Sequence, residues 1–317
     1  MKNIILIGAG NIGSRHLQSL KTVSLPLQII VVDPSSESLK TAKERCDSVD
    51  GAAPHEINFV NTLPASLPDI DVAIIATSSA VRKQALEELL ARAHVRYLLL
   101  EKILFNRPDD YDAAQKKLNA LNIKAWVNCP MRVMPAYRDC KKLLRGDRLY
   151  YHVSGANWGL ACNAIHFVDH LSYLNDCREF TVSTDLLDNK LIPSKRLGFF
   201  ELNGTLTVTF QDGSLGVFSH FLEDSAPIMI TISNPQARVI IRENERKMWM
   251  ATPQQDWKWI EHEAVIPYQS QLTAPVIEDI LHNGDCQLTP YAESMRLHLQ
   301  LYEPIRKLLN LDHYPFT

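Results

Sequence analysis

The sequence lacks a strong excess of charge of either sign. Its 317 residues include 33 lysine and arginine side chains and 36 aspartate and glutamate side chains, which gives a formal net charge of −3 at pH 7. Electrostatic binding to nucleic acid or to an anionic membrane needs a clear excess of positive charge. The composition therefore predicts neither kind of partner.

Long hydrophobic runs are also missing. No stretch approaches the roughly 18 consecutive apolar residues of a membrane span, and the first apolar run is short and ends at Gly8. The sequence therefore predicts neither a signal peptide nor a membrane anchor. Internal repeats and low-complexity segments are absent as well. We expect a cytoplasmic protein.

Clustered cysteines are a third absence. The six cysteines are scattered, with no CxxC motif and no spacing typical of metal ligands. Scattered thiols of this kind are typical of reduced cysteines in a cytosolic protein. The sequence predicts no disulfide framework and no metal site.

Glycine is scarce, with 12 in the chain, yet three lie in Gly8–Gly13, directly after the apolar run Ile4–Ile7. A buried strand that turns through three glycines into a helix forms the pyrophosphate site of a dinucleotide-binding domain. The first glycine permits the tight turn, the second lets the backbone approach phosphate, and the third lets the helix pack on the strand. The positive end of the helix dipole then faces the anion. The predicted cofactor-binding residues of this turn are Gly8, Gly10, Asn11, Ile12 and Gly13.

A carboxylate follows the second apolar run. Ile29–Val32 ends at Asp33, twenty residues after Gly13. A carboxylate at this place accepts hydrogen bonds from the adenosine ribose and repels a 2′-phosphate. The sequence therefore predicts NAD rather than NADP as the cofactor.

Strand-like and helix-like segments alternate through residues 1–127, which predicts an α/β Rossmann domain with a parallel sheet covered on both faces. Ligands of such sheets bind beyond the carboxyl ends of the strands. The residues just after the later apolar runs are therefore also predicted to bind the cofactor: Thr77, Ser78, Glu101, Lys102 and Asn128.

The pattern changes in residues 128–317, which we predict to be a second, α+β domain. A helix is expected at about Cys162–Asn175, followed by alternating β-type segments with a hairpin signal at Asp212–Gly213. Two helices, near Leu272–His282 and Pro290–Leu309, end the chain. This order predicts an open, mostly antiparallel sheet with helices on one face.

Several motifs together resemble the Gfo/Idh/MocA family, which includes glucose-fructose oxidoreductase and inositol dehydrogenase. The resemblance covers nearly the whole length. The motifs are the glycine turn followed by His16, the pair Glu101–Lys102, Val127–Asn128 leading through Arg132 to Pro135–Tyr137, a helix carrying His166, and Leu288–Pro290 with Glu293 before the final helix.

The resemblance implies an oxidoreductase that uses a nicotinamide cofactor to oxidise or reduce a carbon of a sugar, cyclitol or nucleotide-sugar. It also implies a homodimer or homotetramer, because the open sheet of the family commonly forms subunit contacts. Two alternatives remain open. One is an NAD-dependent glycosidase that oxidises its sugar transiently, and the other is a non-catalytic NAD(H) sensor.

The resemblance implies that Lys102 and His166 are the catalytic residues. A hydride leaves a carbinol carbon only if the hydroxyl proton is removed, which suits a histidine base, and a nearby cation stabilises the alkoxide. We assign the acid/base role to His166 and the positioning of substrate and nicotinamide to Lys102, although the two roles could be exchanged. Because these residues belong to different predicted domains, the expected active site is an interdomain cleft.

Four further residues are predicted to bind substrate. Asn163 and His170 share one helix face with His166 at spacings i, i+3 and i+7. Arg132 either grips a phosphate or carboxylate or forms a structural salt bridge. Trp158 either stacks on a sugar or packs in the core.

The chain also departs from the family pattern. Ile103 stands where the family usually has a proline after Glu-Lys, and we expect this change to remove a rigid bend and its frequent cis peptide. Cys162 stands where a carboxylate usually precedes the histidine by one helical turn, and Met131 stands where the first of two arginines is usual.

Overall fold

The computed structural model describes residues 1–144, 146–223 and 225–317. The chain forms two compact units. The first consists of Met1–Asn128 and Pro267–Ala292, and the second of Cys129–Ile266 and Glu293–Thr317.

The strands are β1 (Lys2–Ile7), β2 (Leu27–Val32), β3 (Glu56–Val60), β4 (Ile70–Ile75), β5 (Val95–Leu100), β6 (Lys124–Val127), β7 (Tyr150–Ala156), β8 (Phe180–Leu187), β9 (Ile192–Pro193), β10 (Phe200–Glu201), β11 (Gly204–Phe210), β12 (Leu215–Phe221), β13 (Met229–Ser233), β14 (Arg238–Arg242), β15 (Lys247–Ala251), β16 (Ile260–Glu263) and β17 (Thr289–Pro290). The α-helices are α1 (Asn11–Leu20), α2 (Ser36–Asp47), α3 (Ser79–Leu90), α4 (Pro108–Ala120), α5 (Pro135–Leu143), α6 (Leu160–Asn175), α7 (Gln269–Asn283) and α8 (Tyr291–Leu308).

The sheet of the first unit has the order β17-β6-β5-β4-β1-β2-β3 in the described part of the chain. Strands β1 to β6 pair in parallel. The last four residues of each central strand, β1, β4 and β5, are apolar and buried, as expected where helices cover both faces. The strand order reverses between β1 and β4, so the switch point at which dinucleotides bind lies at this pair. The predicted α/β Rossmann architecture is confirmed.

A late segment of the chain completes this first unit. The amide of Ala274 in α7 donates to Ser19 Oγ of α1 at 2.8 Å. Strand β17 pairs antiparallel with β6, with Thr289 opposite Val127. The sequence prediction assigned all of residues 128–317 to the second domain, whereas the structure assigns Pro267–Ala292 to the first unit. The reason is that the apolar face of α7 is buried against elements from the other end of the chain.

The second unit contains a sheet of order β16-β15-β14-β13-β7-β12-β11-β8 in the described residues. All its neighbouring pairs are antiparallel except β12 and β7. Helix α6 covers one face, where Phe167 stacks on Phe218 with ring centroids 6.1 Å apart. Strands β11 and β12 form the hairpin expected around Asp212–Gly213. The predicted mostly antiparallel α+β unit is confirmed.

No helix in the described ranges is both long and apolar enough to cross a membrane. Within the same ranges, no group of three or more histidine, cysteine, aspartate or glutamate side chains is arranged to hold a metal ion. All six cysteines are free thiols.

Candidate cofactor and active site

The turn after β1 requires glycine at two places. Gly8 has a φ of +96°, and a Cβ built on it would lie 2.8 Å from the carbonyl carbon of Ala76. A Cβ on Gly13 would lie 1.8 Å from the carbonyl oxygen of Gly8. A side chain at either position would therefore force β1 and α1, or β1 and its neighbour β4, apart.

Gly10 has the opposite surroundings. A Cβ built on it would meet no atom within 4 Å among the described residues, so this glycine faces open space. Helix α1 begins at Asn11 directly after it, and no side chain caps the helix start. Asn11 and Ile12 are exposed there. Unpaired backbone N–H groups at a helix start attract anions, so this turn fits a pyrophosphate group.

The carboxylate of Asp33 lies at the same turn. Its Oδ2 accepts a hydrogen bond from the amide of Ala9 at 2.7 Å, and its Oδ1 accepts one from the amide of Ser35 at 2.9 Å. Each carboxylate oxygen can accept a further hydrogen bond. Asp33 therefore lies where ribose hydroxyls next to the pyrophosphate could donate to it.

Thr77 and Ser78 follow β4, the neighbour of β1 at the switch point. Both are half-buried, and Ser78 precedes the start of α3, which no side chain caps. The buried Oγ1 of Thr77 has no hydrogen-bond partner within the described residues. Buried hydroxyls are usually paired, so this atom suits an additional polar group at the carboxyl end of β4.

Glu101 follows β5 and is the centre of a buried polar network. Its Oε1 accepts hydrogen bonds from Asn128 Nδ2 at 2.5 Å and from His16 Nε2 at 2.9 Å. The other nitrogen of His16, Nδ1, lies 2.8 Å from Thr273 Oγ1. One carboxylate thus joins the ends of the neighbouring strands β5 and β6 to helix α1.

The network keeps Glu101 ionised. Burial by itself would raise the pKa of this carboxyl, but hydrogen bonds from His16 and Asn128 and the positive charge of Arg82 hold the pKa below its usual range. A buried carboxylate is retained only when it is paired and hydrogen-bonded in this way. Glu101 therefore supplies a fixed negative charge at the carboxyl end of the sheet.

Lys102 comes next in the chain and is half-buried. The peptide bond between Lys102 and Ile103 is cis. The expectation that the missing proline removes the cis peptide is therefore wrong. The side chains of Ile103, Leu104 and Phe105 are fully buried, so the segment after Lys102 runs through the core of the first unit.

In the second unit, helix α6 begins in a polar environment. Glu201 Oε2 accepts a hydrogen bond from the amide of Ala161 at 2.8 Å, and Asn163 Nδ2 donates to the carbonyl of Trp158 at 2.5 Å. A carboxylate at a helix start satisfies the free N–H groups and complements the dipole. Glu201 therefore fixes the first turn of the helix that carries Asn163 and His166.

His166 lies on the least buried side of α6, together with Cys162 and Asn163, and all three are half-buried. The thiol of Cys162 donates to the carbonyl oxygen of Thr317 at 2.6 Å. Cys162 therefore contacts backbone at the position where the family usually has a carboxylate.

His170 lies in the interior, not on this half-buried side. Its Nε2 is 3.2 Å from the carbonyl oxygen of Tyr137, and its Nδ1 is 3.0 Å from the hydroxyl of Tyr151. Burial lowers the pKa of His170 to about 3, so the ring is neutral. Both ring nitrogens have partners inside the protein, and we leave His170 out of the proposed site.

Arg132 forms a salt bridge, one of the two alternatives given by the sequence. Its Nε donates to Asp169 Oδ2 at 2.8 Å, and its Nη2 donates to Asp169 Oδ1 at 2.9 Å and to Glu293 Oε1 at 2.7 Å. The guanidinium and Asp169 are buried, whereas Glu293 is half-buried and also pairs with Arg178. Arg132 therefore links the turn at Pro130–Val133 to α6 and α8.

Trp158 is half-buried and packs against side chains of the second unit. Its indole N–H donates to the carbonyl of Ser219 at 2.9 Å, and its ring lies edge-on to Phe167 and His220 with centroids 5.5 and 6.0 Å away. These contacts match the packing alternative rather than stacking on a sugar.

Sequence reasoning missed two members of the Glu101 network. Gln269 Oε1 accepts from Asn128 Nδ2 at 2.8 Å, and Gln269 Nε2 donates to Thr273 Oγ1 at 2.9 Å. Both residues lie on α7, more than 140 positions after the glycine turn and Asn128. No local pattern in the sequence links a helix this distant to the first sheet.

Most of the first unit matches a known protein family. Residues 2–129 match GFO_IDH_MocA, described as an oxidoreductase family with an NAD-binding Rossmann fold. These residues belong to the Gfo/Idh/MocA family. The resemblance stated from the motifs is confirmed, as is the prediction of a cofactor of the NAD type for this family.

Solved structures of similar fold cover nearly the whole chain. An oxidoreductase from Agrobacterium radiobacter, in complex with NAD+, L-tartaric acid and magnesium, is 15% identical with a TM-score of 0.73, covering 98% of this chain and 96% of its own. The WlbA dehydrogenase from Bordetella pertussis, in complex with NADH and UDP-GlcNAcA, is 16% identical with a TM-score of 0.68, covering 98% and 95%. A super-repressor mutant of Gal80p from Saccharomyces cerevisiae is 16% identical with a TM-score of 0.69, covering 98% and 96%.

At these identities the likeness shows the fold alone. A search of curated proteins gave no match. The family match therefore identifies an NAD-binding oxidoreductase domain, and the substrate has to be argued from the site.

Proposed function

We propose that this protein is an NAD(H)-dependent oxidoreductase that transfers a hydride between nicotinamide and a CH–OH carbon of a sugar, cyclitol or nucleotide-sugar. The observation that carries the proposal is the turn at Gly8–Gly13, which leaves open space at Gly10 before an uncapped helix start. The NAD-binding family and a structural neighbour crystallised with a UDP-sugar acid support the cofactor and the substrate class.

The residues around the turn suit the parts of a dinucleotide. The backbone of Gly10–Gly13 at the start of α1 would hold the pyrophosphate, and Asp33 would accept hydrogen bonds from the adenosine ribose. On the other side of β1, Thr77–Ser78, Lys102 and Asn128 would contact the nicotinamide half. When bound, nicotinamide supplies the carbon that accepts or donates the hydride.

Lys102 provides the positive charge in this proposal. An ammonium near the reacting oxygen stabilises the alkoxide that forms as the hydroxyl loses its proton. The ionised Glu101 beside it in the chain is held by His16 and Asn128 and so gives the lysine backbone a fixed start. The residue on the N-terminal side of Lys102 is thus held in place by a charged network.

His166 provides the acid/base group. Imidazole changes charge near neutral pH, so it can take the hydroxyl proton during oxidation and return it during reduction. The ring is half-buried on α6, so a water molecule or a substrate hydroxyl can reach it. Asn163, one turn earlier on the same side of the helix, is proposed to contact substrate hydroxyls.

The proposal is tested by NADH titration followed by a turnover screen with sugars, cyclitols and UDP-sugars. We expect saturable NADH binding and NAD+ reduction with at least one member of this set. Failure to bind NADH would contradict the proposal. Tight NADH binding without turnover of any CH–OH substrate would instead favour the sensor alternative, and product release without net NADH formation would favour the glycosidase.

A further inference from the structure

Arg82 is a buried cation at an unusual place. It lies in the first turn of α3 and is 1% exposed. The helix dipole disfavours a positive charge at a helix start, and burial of a charge is costly without compensating partners. Local conflicts of this kind tend to occur at functional sites.

The guanidinium joins two loops at the carboxyl end of the sheet. Its Nη1 donates to the carbonyl oxygens of Ile103 and Leu104, the second at 2.9 Å. Its Nη2 donates to the carbonyl oxygen of Thr77. One planar group therefore ties the end of β4 to the segment that follows Lys102, and a planar fork of donors suits this task.

The segment after Lys102 is fixed along its length. The next carbonyl oxygen, that of Phe105, accepts a hydrogen bond from the hydroxyl of Tyr111 at 2.9 Å. The residue before Lys102, Glu101, is held by its own buried network. Lys102 thus lies between two anchored residues, and Arg82 supplies the anchor on its C-terminal side.

These loops lie on one particular side of the switch point. Asp33, the candidate ribose ligand, follows β2 on one side of β1, whereas Thr77 and Lys102 follow β4 and β5 on the other. A dinucleotide that crosses β1 with its adenosine near Asp33 extends its nicotinamide riboside toward β4 and β5.

We propose that Arg82 is a positioning residue for the nicotinamide half of the cofactor site. By tying Thr77 to Ile103 and Leu104, it holds the loop after β4 and the backbone of Lys102 in the arrangement that accepts the nicotinamide riboside. This inference rests on the proposed dinucleotide binding.

The test compares NADH with ADP, which retains the adenosine and the two phosphates but lacks the nicotinamide riboside. Both are titrated by calorimetry into the wild type, Arg82→Met, Arg82→Lys and the control Arg92→Met. Arg92, exposed just after α3, also donates to a carbonyl oxygen, that of Leu63 at 2.6 Å. The control therefore removes an exposed arginine-to-carbonyl hydrogen bond just beyond the C-terminal end of the same helix.

We expect Arg82→Met to raise the Kd for NADH about tenfold or more and to leave the Kd for ADP within about threefold, since the carbonyl oxygens to which Arg82 donates lie in loops of the nicotinamide half. Arg82→Lys keeps the charge without the planar fork and should show a smaller loss in the same direction. Arg92→Met should bind both ligands as the wild type does. A role confined to stability would not separate the two ligands.

Equal losses for NADH and ADP, or NADH affinity within threefold of wild type, would overturn the role of Arg82 while leaving the proposed function standing. If circular dichroism shows that Arg82→Met does not fold, Arg82→Lys decides by the same comparison. A wild-type protein that binds neither ligand would overturn the proposed function and this inference together.

Discussion

The two units of this protein use buried polar side chains in different ways. In the first unit, hydrogen bonds link His16, Glu101 and Asn128 at the carboxyl end of a parallel sheet. The same unit contains the glycine turn that leaves open space at Gly10. In the second unit, Arg132 and His170 are buried just as deeply, but their partners are side chains and backbone of the interior.

The difference follows from the geometry of strands and helices. A residue directly after a parallel strand lies at the sheet edge where ligands bind, whatever its side chain. Helical spacing places a residue only within a face about 100° wide, so residues that share a face can differ in burial. Polar residues after strands are therefore better candidates for ligand contact than polar residues that share a helix face.

The largest effect is expected for Arg132→Met, which sharpens this comparison. Removing one partner of a buried ion pair costs about 3–5 kcal/mol, because Asp169 would remain buried without its cation, whereas the half-buried Glu293 keeps Arg178 as a partner. Urea unfolding monitored by circular dichroism gives the free energy of unfolding. Arg138→Met, at an exposed position, is the control and should cost less than about 0.5 kcal/mol. Full stability of Arg132→Met with loss of substrate binding would return Arg132 to the site.

Lys102→Met and His166→Asn are expected to lower turnover of an identified substrate about 10²-fold each, as is typical of lost electrostatic or acid/base groups. If both residues act in one reaction, the double variant should be scarcely slower than the slower single variant. Steady-state rates of NADH formation provide the measurement, with the exposed Lys43→Met as control. Near-normal turnover in His166→Asn would remove this histidine from the mechanism.

The burial of His170 predicts a smaller, pH-dependent effect. Its pKa of about 3 in the folded protein lies below the ordinary value of 6.5, so the unfolded chain binds a proton that the folded protein does not. Protonation of the unfolded chain therefore lowers the free energy of unfolding as the pH falls below about 6.5. Between pH 7 and 5 the decrease is about 2 kcal/mol. His170→Gln should lose that part of the pH dependence in urea unfolding at the two pH values. An unchanged slope would mean that the ring is not held neutral in the interior.

The smallest effect is expected at Asp33. The wild type should bind NADH more tightly than NADPH, and Asp33→Ala should reduce the ratio of the two Kd values about tenfold by removing the repulsion of a 2′-phosphate. Fluorescence titration of both cofactors measures the ratio. Tighter binding of NADPH by the wild type would contradict the assignment of Asp33.

Much of the first unit could be predicted from sequence because its signals are local. The glycine spacing, the apolar strand runs and the residue after each run are all contained in short windows, and Gly8, Gly13 and Asp33 lie as these windows predict. By contrast, the assignment of Gln269 and Thr273 to this unit depends on a return of the chain after the second unit. No periodicity in the sequence encodes that return.

The candidate residues of the second unit were harder to predict for another reason. Helical spacing puts Asn163, His166 and His170 on one face. It does not show that His170 contacts Tyr137 and Tyr151 in the interior while the other two residues stay half-buried. Likewise, the carboxylate partners of Arg132 come from two different helices. Whether a polar side chain binds ligand or holds the core together is decided by such tertiary partners.

The most direct test of the central claim is a titration of NADH into the wild type and Gly10→Val. Gly10 faces open space, so the valine should leave the fold intact and occupy the place of the pyrophosphate. We predict saturable NADH binding by the wild type and none by the variant, with equal thermal stability of the two unliganded proteins. Equal NADH affinity in the two proteins would contradict the claim that this turn is the cofactor site.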